Sequence, residues 1–185
     1  MRLLALVGAA IAMVAALPSP AGARQMQPQL IDQKGHVFTL QSLRGTPLAV
    51  TFVSAHCTDA CPLINAQFSR AEAAFRAQHR RVHLLTVTLD PEHDSLATMA
   101  HLARSFHADP ALWQLASGRL ADVHAVMSAF GVIAQRGRNG YADVHTTFVY
   151  LLDAQGRLRQ TMLASTNLDR RLVAEVQKQW HVLAT

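Results

Sequence analysis

Val50-Thr51-Phe52-Val53-Ser54-Ala55-His56-Cys57-Thr58-Asp59-Ala60-Cys61-Pro62 sets the frame for the whole chain. The β-branched and aromatic residues up to Val53 predict a strand, and the small polar residues after it predict a short loop. Asp59 is a candidate N-cap and Pro62 suits a first helical turn, because its missing N–H would have no partner there. Both cysteines of the protein lie on this loop. At four-residue spacing they share one face of a helical turn, within reach of one metal ion or of each other. The partial positive charge of a helix start also favours a thiol that ionises near neutral pH.

Two cysteines so close in sequence close too small a loop to act as an effective staple of the unfolded chain, so redox or metal chemistry is the better reading. The compartment fits that chemistry. Met1-Arg2 is followed by an uncharged apolar run over residues 3–17, then Pro18-Ser19-Pro20 and Ala21-Gly22-Ala23. The run is short for a bilayer span and ends in an A-x-A pattern, so residues 1–23 are expected to be a cleaved signal peptide and 24–185 the mature domain. The expected location is periplasmic, with an inner-membrane anchor facing the periplasm as the alternative. No cysteine stands near the cut for a lipid anchor. The formal charge of +5 is spread over separate sites such as Arg80-Arg81, Arg136 with Arg138, and Arg170-Arg171. That spacing argues against a nucleic-acid surface.

Outward from the cysteine loop the chain alternates. Gln29 to Leu40 reads as a hairpin turning at Lys34-Gly35, and residues 43–47 as a turn. The run 48–53 is near-continuous and apolar, as in a strand buried on both faces, and 83–89 reads as a second buried strand. Phe68, Ala71, Ala74 and Phe75 have helical spacing, as do Leu120, Val123, Val126, Met127 and Phe130. Asp90-Pro91 ends the second strand, and Asp94 or Ser95 can cap a helix to about Phe106. A strand over 147–152, a turn at 153–156, a partner strand over 157–162 and a helix from Asn167 or Asp169 to Trp180 complete the chain. The pattern predicts an α/β sandwich: a central mixed β-sheet flanked by helices, with an N-terminal β-hairpin.

A strand, a cysteine pair at a helix start, a βαβ unit and a closing ββα unit resemble the thioredoxin fold. Four segments within it resemble the Sco/SenC family, the copper chaperones of cytochrome oxidase assembly. They are Thr51-Phe52 with Cys57-x-x-x-Cys61-Pro62; Thr88-Leu89-Asp90-Pro91-Glu92-His93-Asp94; Trp113-Gln114-Leu115-Ala116-Ser117-Gly118; and Val144-His145-Thr146-Thr147 with Val149-Tyr150-Leu151-Leu152-Asp153. Where the family usually has proline after the first cysteine, this chain has Thr58.

The resemblance implies a copper site built from Cys57, Cys61 and His145. Two thiolates and one imidazole suit Cu(I) and also Cu(II), and zinc with a water could use the same three ligands. It further implies delivery to the copper site of cytochrome c oxidase subunit II or a related copper protein. Another periplasmic thiol–disulfide oxidoreductase is a possible partner in maintaining thiols. The competing reading makes Cys57 and Cys61 the redox-active pair of a thiol–disulfide oxidoreductase with no metal role, so enzymatic activity stays open. A distant histidine and three residues between the cysteines favour the metal. Peroxidase relatives of the fold carry threonine three residues before their cysteine, where this chain has Ser54.

Other residues receive plainer readings. Asp90, Glu92 and Asp94 are read as a strand-ending turn and helix cap, with Asp90 at the rim of the site. His56 is read as a solvent-facing loop histidine, the alternative being a group that lowers the Cys57 pKa or competes as a ligand. His101, His107 and His124 are expected on helices at the surface or partly buried, and Trp113 as a packing residue. Asn65 and Gln67 show no evident chemistry.

Overall fold

The computed structural model describes residues 27–58, 60–138, 140–145 and 147–183, with residues 143–145 and 180–183 described by their backbone alone. The expected signal peptide and the Asp59 cap lie outside the described residues. At the centre is β3 (Leu48–Val53), whose six residues are all buried. Its side chains alternate between two cores, as strand geometry requires. Ala49 faces a cluster containing Ile64, Phe68, Phe75, Met99, Leu168 and Val176, and Val50 and Phe52 face one containing Leu85, Val87, Val123 and Val126.

That double burial places β3 inside the sheet, between β4 (His83–Thr88), which runs parallel to it, and β8 (Phe148–Leu152), which runs antiparallel. Helix α1 (Ala60–Ala77) makes the crossover to β4, and α2 (Leu96–Ser105) makes the crossover from β4 to a parallel β5 (Trp113–Gly118). Ser95, not Asp94, caps α2: its side chain accepts from the Thr98 N–H at 3.1 Å. Helix α3 (Leu120–Ala129) covers the opposite face. Strand β9 (Leu158–Leu163) flanks β8, and α4 (Leu168–Leu183) packs beside α1. The hairpin of β1 (Leu30–Ile31) and β2 (Val37–Phe38) adds to the β5 edge, giving the order β2-β1-β5-β4-β3-β8-β9. This is the expected mixed sheet with helices on both faces.

Three features depart from the sequence reading. Residues 113–118 form a third parallel strand, although Gln114, Ser117 and Gly118 dilute its apolar pattern. These polar groups are accommodated locally: Ser117 Oγ donates to the Asp94 carbonyl at 3.1 Å, and Gln114 Nε2 to the Pro110 carbonyl at 3.1 Å. The Gln33 side chain takes the place of a neighbouring strand, accepting from Leu115 N and donating to the Trp113 carbonyl. Trp113 itself is fully buried, as expected, and its Nε1 donates to Thr86 Oγ1 at 3.0 Å. The second departure is a separate two-stranded hairpin, β6 (Ala134–Arg136) with β7 (Ala142–His145). His107 also falls beyond the end of α2, in left-handed backbone at φ 54°. Among the described residues no helix is long and apolar enough to cross a membrane.

Candidate thiol and metal site

Parallel strands β3, β4 and β5 all end on one side of the sheet, so the loops that follow them converge there. The antiparallel β8 begins on that side, with Val149 opposite Thr51 and the Thr51 hydroxyl donating to the Phe148 carbonyl at 3.0 Å. The cysteine loop, the 90–94 segment and the chain entering β8 therefore meet.

Cys57 is half-buried on a turn closed by its N–H to the Ser54 carbonyl at 3.1 Å. Cys61 lies in the first turn of α1, two per cent exposed. No disulfide joins them, and the Cys57 sulfur is a hydrogen-bond partner of Cys61. Burial pushes the Cys61 thiol far above its usual range, the adjacent Cys57 sulfur and the Asp94 carboxylate add to the shift, and only the Ser54 backbone acts the other way. The expectation of a thiol ionising at the helix start is thus corrected for Cys61. Desolvation outweighs the partial charge of the helix end.

The carboxylates after β4 do more than end a strand. Asp94 is fully buried beneath the loop and accepts from Thr88 Oγ1 at 2.6 Å and from the Ala55 N–H at 3.1 Å. Its burial raises its pKa despite those donors. Asp90 is one per cent exposed, and its Oδ2 accepts from the Ala142 N–H at 2.9 Å and contacts His93 Nδ1 at 2.8 Å. Burial alone would raise its pKa, but the Ala142 N–H, His93 and Arg136 outweigh it and hold the carboxyl below its ordinary value. Arg136 of β6 reaches Glu92 at 2.5 Å and the Gly140 carbonyl at 2.8 Å. The 90–93 segment is therefore a mount for the β6–β7 hairpin.

His56 is neither simply solvent-facing nor a demonstrated ligand. Its ring stacks on Tyr141 with centroids 3.7 Å apart and planes 6° apart. His93 stands edge-on to Tyr141 at 5.0 Å. The stack joins the residue before Cys57 to the hairpin that carries His145. Nothing in the sequence signals this: Tyr141 lies far along the chain in a segment without strand periodicity.

His145 is the last residue of β7, with its backbone opposite Ala134 and close in sequence to the start of β8. The fold thus brings its backbone to the end of the sheet that holds both thiols. Among the described residues no three His, Cys, Asp or Glu side chains converge as a metal site. The two thiols are a soft donor pair, which suits a thiophilic ion. Gln67 proves structural: buried, it bonds the Thr166 carbonyl at 2.9 Å and the Asp169 N–H at 3.2 Å, tying α1 to the start of α4, while buried Asn65 accepts from Thr86 Oγ1 at 3.4 Å. His101 and His124 are exposed on their helices.

Comparison with known proteins supplies the lineage. The SCO1/SenC family model matches residues 19–181. The SCO2-like protein of Rickettsia typhi is 25% identical over 135 residues, 70% of this chain and 64% of that protein's length. The chain thus spans just under two thirds of this relative. The solved structure of Bradyrhizobium japonicum ScoI with copper bound matches at TM-score 0.71 and 30% identity, covering 81% of this chain and 95% of that one. BsSco, described as a member of the Sco family of cytochrome c oxidase assembly proteins and as having a disulfide switch, shares the fold at TM-score 0.69 and 18% identity, covering 80% of this chain and 88% of its own.

Proposed function

The chain belongs to the SCO1/SenC family, and we propose that it is a copper-binding assembly protein that carries the ion as cargo to the copper site of cytochrome c oxidase or a related copper protein. The observation that carries this reading is the pair of unlinked thiols at the sheet end where the β6–β7 hairpin is mounted. Cys57 and Cys61 would hold the ion, with His145 as the third donor. Soft thiolates retain Cu(I), and the imidazole extends the set to Cu(II). The copper-bound relative from B. japonicum supports the choice of metal. Half-buried Cys57 is the sulfur from which cargo would pass to a partner's ligand, while buried Cys61 holds the other side.

A thiol–disulfide role is the second reading, favoured by the same half-exposed and buried arrangement and by the disulfide switch of BsSco. In that reaction Cys57 attacks a partner disulfide and releases one partner thiol. Cys61 then displaces the second, leaving a Cys57–Cys61 disulfide and a partner dithiol, with two electrons and two protons passed to the partner. Reducing a partner's cysteines before loading them would make the two roles consecutive.

Metal analysis of the reduced mature protein after copper addition and desalting should find about one copper per chain, as one set of ligands allows. Copper should also raise the melting temperature, because the unfolded chain lacks the assembled site. A protein that elutes without copper, and melts unchanged, would remove the carrier reading and leave the oxidoreductase.

Export to the periplasm belongs to the same proposal. Intact mass of exported protein is expected to begin at Arg24. Full-length chain in the membrane fraction would make residues 1–23 an anchor.

A further inference from the structure

We propose that Tyr141 is a positioning residue whose ring, stacked on His56, locks the β6–β7 hairpin against the thiol loop and so sets the place of the His145 donor. The inference rests on the copper-carrier reading and adds to it the device that assembles the site from two distant parts of the chain.

Three observations carry it. The first is the stack itself, whose 3.7 Å centroid distance and 6° interplanar angle describe two rings in full face contact. His56 immediately precedes Cys57, so the contact reaches the thiol loop at the residue next to a sulfur. The second is that the stack is braced. His93 stands edge-on to Tyr141 at 5.0 Å and to His56 at 6.5 Å, and is itself held on Asp90 at 2.8 Å. Backbone bonds hold Tyr141 on both sides: the Gly137 N–H donates to its carbonyl at 2.8 Å, and the next N–H, that of Ala142, donates to Asp90.

The third observation concerns what the hairpin lacks. Among the described residues, strands β6 and β7 pair only with each other and are not part of the seven-stranded sheet. The sheet's ladder therefore holds the hairpin only through its exit, where β8 begins at Phe148, three residues after His145. Side-chain contacts fix the rest of the hairpin, and among the described residues the stack reaches the thiol loop directly. Asp90, Glu92 and His93 tie the hairpin to the loop after β4, whereas Tyr141 ties it to the loop that bears Cys57.

A third ligand carried on a separate element binds according to the fraction of time that element is docked. An aromatic pair of this kind supports a change of up to about tenfold in such an equilibrium. Loss of the ring should therefore weaken the imidazole contribution and leave the dithiol alone. Because His56 is about one-third exposed, the stack lies at the surface rather than in either core.

The test is a thermodynamic cycle on the full mature chain with copper as the probe. Wild type, Tyr141→Ala, Tyr141→Phe, His145→Ala and the Tyr141→Ala/His145→Ala double variant are titrated with Cu(II) against a competing chelator. Tyr141→Ala is expected to bind Cu(II) about tenfold more weakly, and Tyr141→Phe, which keeps the ring, to recover most of that loss. In the His145→Ala background, Tyr141→Ala should change affinity by less than about twofold, because its effect passes through the missing imidazole. Electron paramagnetic resonance of the Cu(II) forms should show nitrogen coupling in wild type and Tyr141→Phe and its loss in Tyr141→Ala. The dithiol–disulfide midpoint potential should stay the same in all Tyr141 variants.

Equal weakening by Tyr141→Ala with and without His145 would overturn the proposal, since the ring would then act on the thiols or on general stability. So would unchanged Cu(II) affinity in Tyr141→Ala, or failure of Tyr141→Phe to recover. If wild type itself binds no copper, or His145→Ala binds as wild type does, the carrier reading fails and takes this proposal with it. A failure confined to the Tyr141 variants leaves that reading standing.

Discussion

Replacing either Cys57 or Cys61 with serine is expected to abolish tight copper binding and the intramolecular disulfide together, whereas His145→Ala should separate the two properties. The physical difference is the donor. A serine hydroxyl is hard and stays protonated at neutral pH, so each cysteine variant leaves Cu(I) with one thiolate and loses several decades of affinity. No partner sulfur then remains to close the disulfide. His145→Ala keeps both thiolates, so Cu(I) binding should survive with a modest loss while Cu(II), which prefers imidazole, suffers more. Competition titrations with both copper states, beside a dithiol–disulfide equilibrium for each variant, read these outcomes directly. His145→Ala binding both copper states as wild type does would remove the third ligand and make the plain oxidoreductase the better account.

The second large effect is on pH. Cys61 is pushed far above the ordinary thiol range, chiefly by burial, so it is protonated throughout the physiological window. Copper binds the thiolate, so binding must expel at least that proton. Affinity should rise at least about tenfold per pH unit, or roughly a hundredfold between pH 6 and pH 8, with matching proton release in weakly buffered calorimetry. A flat affinity profile over that range would show that Cys61 does not bind as a thiolate.

The metal-free reduced protein should show the same displaced titration in its stability. The folded state holds the Cys61 proton more tightly than the unfolded chain does, so this contribution is fully present below the unfolded thiol value. It fades as pH rises above about 8.5, at a slope approaching 1.4 kcal/mol per pH unit. Chemical denaturation from pH 7 to pH 10 measures it, and the Cys61→Ser variant should lose that slope.

The family's imprint lies in local sequence. The run into Cys57-x-x-x-Cys61-Pro62 predicts a strand, loop and helix start, and β3 and α1 follow it. Double-sided burial of β3 and β4 follows from runs broken only by threonines and a terminal histidine, because a strand without a charged face has no place at the edge of a sheet. The N-terminal hairpin, the β8–β9 turn and the amphipathic faces of the helices are likewise short-range patterns that need only neighbouring residues to be read.

Tertiary structure decided what depends on residues meeting across the chain. Strand β5 has a diluted pattern because Ser117 and Gln114 bond to the Asp94 and Pro110 carbonyls and its backbone bonds to the Gln33 side chain, and Asp94 and Gln33 lie far from it in sequence. Hairpin β6–β7 has three- and four-residue strands and too few apolar positions to announce a period. Its mount on Asp90 and its stack on His56 join segments dozens of residues apart. The roles of Asp90 and Asp94 changed for the same reason: a carboxylate after a strand looks like a cap until the groups around it are known. So did the state of Cys61. A helix start stabilises a thiolate through a few exposed N–H groups, an effect visible in sequence, but the sign of the shift is set by desolvation, and burial comes from the packed fold. Sequence by itself thus determined the pair of thiols and the fold that carries them, since these depend on residue type and local period. Folding decided which of them meet and how readily they give up a proton, since these depend on contacts and water exclusion that no local pattern encodes.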